Sequence, residues 1–121
     1  MQFSNAFSNK HIVIDGGMGT MLQAAGLPAG ASPDVWNITN PDAVRAVHAA
    51  YLAAGANVIT SNTVGSTRPR QKRGAYQPAE LAAAGVRLVR EAIAASGKTA
   101  YCALDVGPLG AFLEPLGDLT E

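Results

Sequence analysis

The sequence predicts an α/β fold laid out as β-α-β-α-β around a parallel sheet. Three short apolar runs rich in β-branched residues carry that reading, together with the polar and glycine residues that close each run. Two long stretches of helical periodicity between them complete it. The runs are His11-Ile12-Val13-Ile14 before Asp15-Gly16-Gly17, Asn57-Val58-Ile59-Thr60 before Ser61-Asn62-Thr63, and Ala100-Tyr101-Cys102-Ala103-Leu104 before Asp105-Val106-Gly107-Pro108. The first run shows no alternation of apolar and polar residues, which is expected of a strand covered on both faces.

Each helix has a start and a stop. Thr39-Asn40-Pro41-Asp42 supplies an N-cap candidate, a proline for the first helical position and an early acid, and Gly55 is the expected end. Val44, Val47, His48, Tyr51 and Leu52 recur along it at helical spacing. The second helix opens near Pro78 and stops at Gly97, with a stripe of Leu81, Gly85, Leu88, Val89, Ala92 and Ile93. A shorter helical piece spans Thr20 to Ala25. Right-handed crossovers through such helices make the strands parallel neighbours. Pro28 to Pro33 and Gly65 to Gln77 are loops within one unit rather than domain boundaries.

The composition narrows the function classes. The chain has 121 residues, 48% of them hydrophobic and 15% charged, with formal net charge zero. Balanced charge argues against nucleic acid or an anionic membrane as partner. No run of 18 or more apolar residues occurs, so a membrane span is not expected. The segment 1–10 is polar and lacks an apolar signal core, and the expectation is a cytoplasmic protein. One cysteine, Cys102, cannot form an internal disulfide or a multi-cysteine metal site. Three strands with two open edges make a poor finished domain, so residues 1–121 read as the start of something larger and self-association is expected.

In α/β folds ligands sit beyond the carboxyl ends of the strands. Here those ends carry Asp15, Gly16 and Gly17, then Asn62 and Thr63, then Asp105 and Gly107. Glycine lets a substrate approach the backbone, whose N–H groups hold a carboxylate, and an aspartate receives an ammonium group. The set suits a zwitterionic amino acid. A dinucleotide reading fails in detail. Leu22 stands where G-x-G-x-x-G needs its last glycine, and no acid follows the second strand for the ribose. No lysine follows Gly19, so a phosphate-binding P-loop is absent too.

At these residues the sequence resembles the homocysteine S-methyltransferase family. The resemblance rests on Asp15-Gly16-Gly17-Met18-Gly19-Thr20, on Trp36-Asn37-Ile38-Thr39-Asn40-Pro41 with His48 and Tyr51 to Ala56, and on Ser61-Asn62-Thr63-Val64-Gly65. It continues through Asp105-Val106-Gly107-Pro108-Leu109-Gly110 and Glu114 to Asp118. The likeness is greatest to the homocysteine-binding modules of bacterial cobalamin-dependent methionine synthases. Val64 and Leu109 depart from the family pattern, where phenylalanine and threonine are usual, and Pro69 interrupts a loop that in relatives runs on into helix.

What the resemblance implies is a (β/α)8 TIM barrel, of which residues 1–121 are the N-terminal portion, and homocysteine as substrate. Asp15, Gly16 and Gly17 then line the homocysteine pocket, Asn62 and Thr63 stand close by, and Asp105 and Gly107 share the rim. The family activates the thiol with zinc held by three cysteines of later strands, and cobalamin and folate belong to other modules. Cys102 lies outside any such ligand motif, so the resemblance also implies that the 121-residue chain carries the amino-acid half of the site without the metal half.

Other residues have plainer readings. Cys102 is expected to be a small core residue, His48 a hydrogen-bonded packing residue, and Trp36 an anchor for the loop before the first long helix. Arg68, Arg70, Lys72 and Arg73 read as a solvated loop, placed where they can also meet an anionic donor or a neighbouring domain. Two rivals remain: a non-catalytic binding or assembly module, and an unrelated TIM-barrel enzyme acting on a small carboxylate. The second needs a lysine or metal ligands at the strand ends, and no lysine stands at any of the three.

Overall fold

Hydrophobic periodicity places the helices where it should. In the computed structural model, which describes residues 3–6, 8 and 11–120, the elements are α1 (Phe3–Ala6), α2 (Gly19–Ala24), a 3-10 turn (Pro33–Val35), α3 (Trp36–Thr39), α4 (Pro41–Ala53), β1 (Val58–Thr60), α5 (Pro78–Ser96) and β2 (Tyr101–Ala103). Of the polar segment 1–10, only the turn of helix at Phe3–Ala6 and Ser8 fall within the described residues. Proline occupies the first turn of both long helices, where its missing N–H costs nothing. Asn40 stands at the N-cap of α4, but its side chain makes no capping bond. Gly97 ends α5 with φ of 67°, the left-handed conformation that a side chain disfavours.

The strands are parallel. β1 pairs with β2 in the register Val58–Tyr101, Ile59–Cys102 and Thr60–Ala103. On the other side of β1, Ile14 forms an isolated parallel bridge with Val58. The expected first strand, 11–14, is therefore reduced to that bridge and its flanking bonds. The Val58 and Asn57 N–H groups donate to the Val13 carbonyl, and the Asp15 N–H to the Val58 carbonyl. The Val13 N–H goes to the Asn57 side-chain oxygen at 3.0 Å, which replaces a ladder bond with a side-chain one. Nor is this run covered on both faces: Val13 and Ile14 are 51% and 61% exposed. They lie at the outside of the arrangement, whereas central β1 has Val58 and Ile59 buried.

Helices and sheet meet in two apolar clusters. One joins Leu22, Leu27, Val44, Val47 and Leu88; the other joins Leu52, Ala56, Ile59, Val89 and Ala92. Tyr51 packs against both, and Cys102 packs half-buried against the second. Complete burial of each large side chain contributes about 1.5–3 kcal/mol. On the surface, Arg45 of α4 pairs with Asp42 and reaches Glu91 of α5 at 2.8 Å. No described helix is long and apolar enough to cross a membrane.

His48 is fully buried in α4, as its place on the stripe suggests. It is not hydrogen-bonded: neither ring nitrogen has a partner among the described residues. Burial lowers its pKa from 6.5 to about 4. The unfolded chain therefore takes up the proton first as pH falls, so stability is lost between about pH 6.5 and pH 4. The loss amounts to on the order of 3 kcal/mol. Urea unfolding across that range should show it, and His48→Leu should flatten this limb; an unchanged slope in the variant overturns the assignment.

Candidate functional site

The carboxyl ends of the three parallel segments stand side by side, and the bonds between them come mainly from side chains. Asp15 spans the first gap. Its Oδ2 accepts the Thr60 N–H and its Oδ1 the Thr60 hydroxyl, each at 3.0 Å. Burial raises its carboxyl above the usual range; the bonds from Thr60 oppose the rise and nearby Asp105 adds to it.

Ser61 and Thr63 span the second gap. The Thr63 hydroxyl donates to the Asp105 carbonyl at 2.7 Å, so the 2.7 Å contact between the two hydroxyls has Ser61 as donor. The Ser61 oxygen in turn accepts the Asp105 N–H at 3.1 Å. Among the described residues, the Asp105 carboxylate itself makes no hydrogen bond. Gly107 is packed from behind: a Cβ there would stand 2.3 Å from the Val64 carbonyl oxygen.

Asn62 turns away from the sheet toward the helices. Its Nδ2 donates to the Pro33 carbonyl at 2.8 Å and to Asn37 Oδ1 at 3.0 Å. Asn37 Nδ2 answers by donating to the Asn62 carbonyl at 2.7 Å and to the Leu81 carbonyl at 3.2 Å. Both side chains are buried. Above Gly17, the Tyr51 hydroxyl donates to the glycine carbonyl at 2.7 Å, and the same ring closes over Gly16.

A cavity of about 520 Å³ opens at these ends. Gly16, Gly17, Thr60, Asn62 and Asp105 line one side of it; Ser32, Asp34, Gly65, Arg70 and Gln71 line the other. Of the residues singled out from sequence, Gly16, Gly17, Asn62 and Asp105 thus converge on one space. Asp15, Thr63 and Gly107 stand behind it and hold its walls. Arg70 is exposed and its Nε donates to the Pro108 carbonyl at 2.8 Å, so part of the basic run folds back onto the rim.

Sequence reasoning missed Asp34 and Gln71. Asp34 follows a proline and reads as an acid at a helix start, yet it is buried. Its oxygens take the Gly65 N–H at 3.3 Å and the Ser66 hydroxyl. Burial raises its pKa, and the bonds from Ser66 and Gly65 oppose the rise. Gln71, inside the basic run, is also buried, and nothing in its neighbours signals that.

The family profile described as Homocysteine S-methyltransferase matches residues 12–121. The chain belongs to the homocysteine S-methyltransferase family. It is 44% identical over 61 residues to Homocysteine S-methyltransferase 1 of Zea mays, covering 47% of this chain and 18% of that protein. It is 36% identical over 67 residues to Methionine synthase of Mycobacterium tuberculosis, covering 50% of this chain and 6% of that protein. In structure it is similar to the metallated form of the homocysteine methyltransferase MmuM from Escherichia coli. The TM-score is 0.70 at 27% identity, over 85% of this chain and 40% of that one. The chain therefore spans well under half the length of these relatives.

The fold of this family member also fixes α5 against the site. A Cβ on Gly85 would stand 2.6 Å from Thr63 Cγ2 and 2.9 Å from Asn37 Nδ2. The Thr63 side chain is held through its hydroxyl and Asn37 through its amide, so neither yields easily. Gly85→Ala is expected to destabilise by about 1–3 kcal/mol through overpacking, less any gain in helix propensity. The urea midpoint checks this, and a midpoint at or above that of the parent protein refutes the close packing.

Proposed function

We propose that this chain forms the amino-acid-binding part of a zinc-dependent homocysteine S-methyltransferase site, in a protein that converts homocysteine to methionine. The observation that carries the reading is the cavity at the parallel strand ends, lined by Gly16, Gly17, Asn62 and Asp105 within the family-matched region. In this reading the α-ammonium group of homocysteine meets the Asp105 carboxylate. The α-carboxylate meets the Gly16 and Gly17 N–H groups, which make no backbone hydrogen bond among the described residues.

These residues do not fit the zinc. Among the described residues no three His, Cys, Asp or Glu side chains stand together in a way that could hold an ion. The one cysteine, Cys102, sits in β2, where burial pushes its thiol pKa up and so disfavours the thiolate that a metal needs. In the proposal, thiol activation comes from residues outside these 121, and the 121-residue chain alone does not transfer methyl groups.

The binding half of the reading is tested by titrating L-homocysteine into the chain in a calorimeter. Asp105→Asn is expected to weaken binding by roughly tenfold or more, the worth of one hydrogen bond to a charged group, and to leave thermal stability nearly unchanged. Equal affinity in the variant overturns the assignment of the ammonium group to Asp105.

A partner surface belongs to the same reading. Ile14, Leu104 and Val106 are exposed at the outer strands, and Phe112 and Leu116 are exposed beyond them. In the working protein, further barrel strands cover these edges; for the 121-residue chain alone, a second copy does so. Sedimentation of the chain is expected to give a dimer or larger species, and a cooperative monomer refutes it.

A further inference from the structure

The far wall of the cavity consists of two loops that no strand or helix holds together. The first contains Ser32, Pro33 and Asp34; the second runs from Gly65 to Gln71. Two buried side chains, Asp34 and Gln71, reach across between them and meet the Ser66 and Ser32 hydroxyls. Asp34, only 2% exposed, accepts the Gly65 N–H through Oδ1 and the Ser66 hydroxyl through Oδ2. Gln71, 8% exposed, donates through Nε2 across to Ser32 Oγ at 3.3 Å and, within its own loop, to the Gly65 carbonyl at 2.9 Å. A buried carboxylate is costly unless its lone pairs are filled, so this geometry exists only while the second loop stays against the first.

We infer that Asp34 is a positioning residue for the amino-acid pocket: through Gly65 and Ser66 it holds the loop after β1 in place as the pocket's far wall. The inference rests on the pocket reading above and adds to it a residue whose carboxylate oxygens are bonded to the opposite loop. Asp34 is suited to the task because it sits on the 3-10 turn Pro33–Val35. The Pro33 carbonyl of that turn is itself bound by Asn62 at the end of β1. The same turn is thus tied to the strand end on one side and to the loop after β1 on the other. Gly65 allows the approach, since a Cβ there would lie 3.1 Å from Asp34 Oδ1. Ligand affinity depends on such walls because displacements on the order of 1 Å at positioning groups cost up to about a hundredfold in function.

The test uses two readouts on the 121-residue chain: amide hydrogen exchange, and calorimetric titration with L-homocysteine. Asp34→Ala is expected to speed exchange at Gly65 to Gln71 while leaving α5 unchanged, and to weaken L-homocysteine by roughly tenfold or more. Asp34→Asn is the conservative rescue. Its amide oxygen still accepts the Gly65 N–H and its NH2 donates to the Ser66 oxygen, so affinity should return to within about threefold of the parent. Ser66→Ala, which removes one of the two bonds to Asp34, should move both readouts in the same direction by less, and it serves if Asp34→Ala does not fold. Unchanged exchange in both Asp34→Ala and Ser66→Ala overturns the role, as does a loosened loop with unchanged affinity. A rescue failure with intact exchange overturns it too, because the charge rather than the link would then matter. If the parent chain shows no L-homocysteine binding while the exchange pattern holds, the pocket reading fails and the loop link stands.

Discussion

The reciprocal amide pair between Asn37 and Asn62 is the contact on which the cavity depends. Four hydrogen bonds from two buried side chains join α3, the turn before it, the end of β1 and the first turn of α5. Both residues are nearly fully buried, so removal of one partner leaves polar groups of the other unpaired at a cost of about 1–3 kcal/mol. Such a network holds as a unit or fails as a unit. Its position is set by close packing from below, where α5 presents Gly85 to Thr63 and Asn37 with no space for a methyl group.

The apolar core reaches the glycine turn through Tyr51. Tyr51 packs against both clusters and ends in a hydroxyl bonded to the Gly17 carbonyl. The glycine turn after the first segment is therefore anchored to the packing of α4, even though the segment itself has only a bridge and a few bonds to β1. This explains how a weakly paired strand can still present its carboxyl end in register with its neighbours. Asp15 completes the arrangement, because its two bonds to Thr60 act across the gap that the backbone ladder leaves.

The helices were legible in the sequence because their signals are local. Pro41 and Pro78 start them, Gly97 stops the second, and a stripe repeating every three or four residues is buried as a stripe. The parallel order also followed from alternation of element types. What was illegible depends on distant partners. Nothing near Val13 announces that Asn57 takes its N–H, and nothing near His48 announces that both ring nitrogens go unpaired. Asp34 and Gln71 carry the same lesson for the site. An acid after proline and a glutamine among cations are ordinary surface patterns, and only the meeting of two loops distant in sequence buries them.

The strand-end motif itself divides into two physical classes that sequence treats alike. Asp15 and Thr63 spend their polar atoms on the protein, bonding one strand end to the next. Asp105 uses its backbone for that purpose, and among the described residues its carboxylate at the cavity makes no hydrogen bond. A carboxylate has about four acceptor sites, so Asp15, which already accepts two bonds, has fewer left for an incoming ammonium group than Asp105. The residues most tightly built into the scaffold are thus the poorer candidates for contact with substrate, although they stand in the same motif.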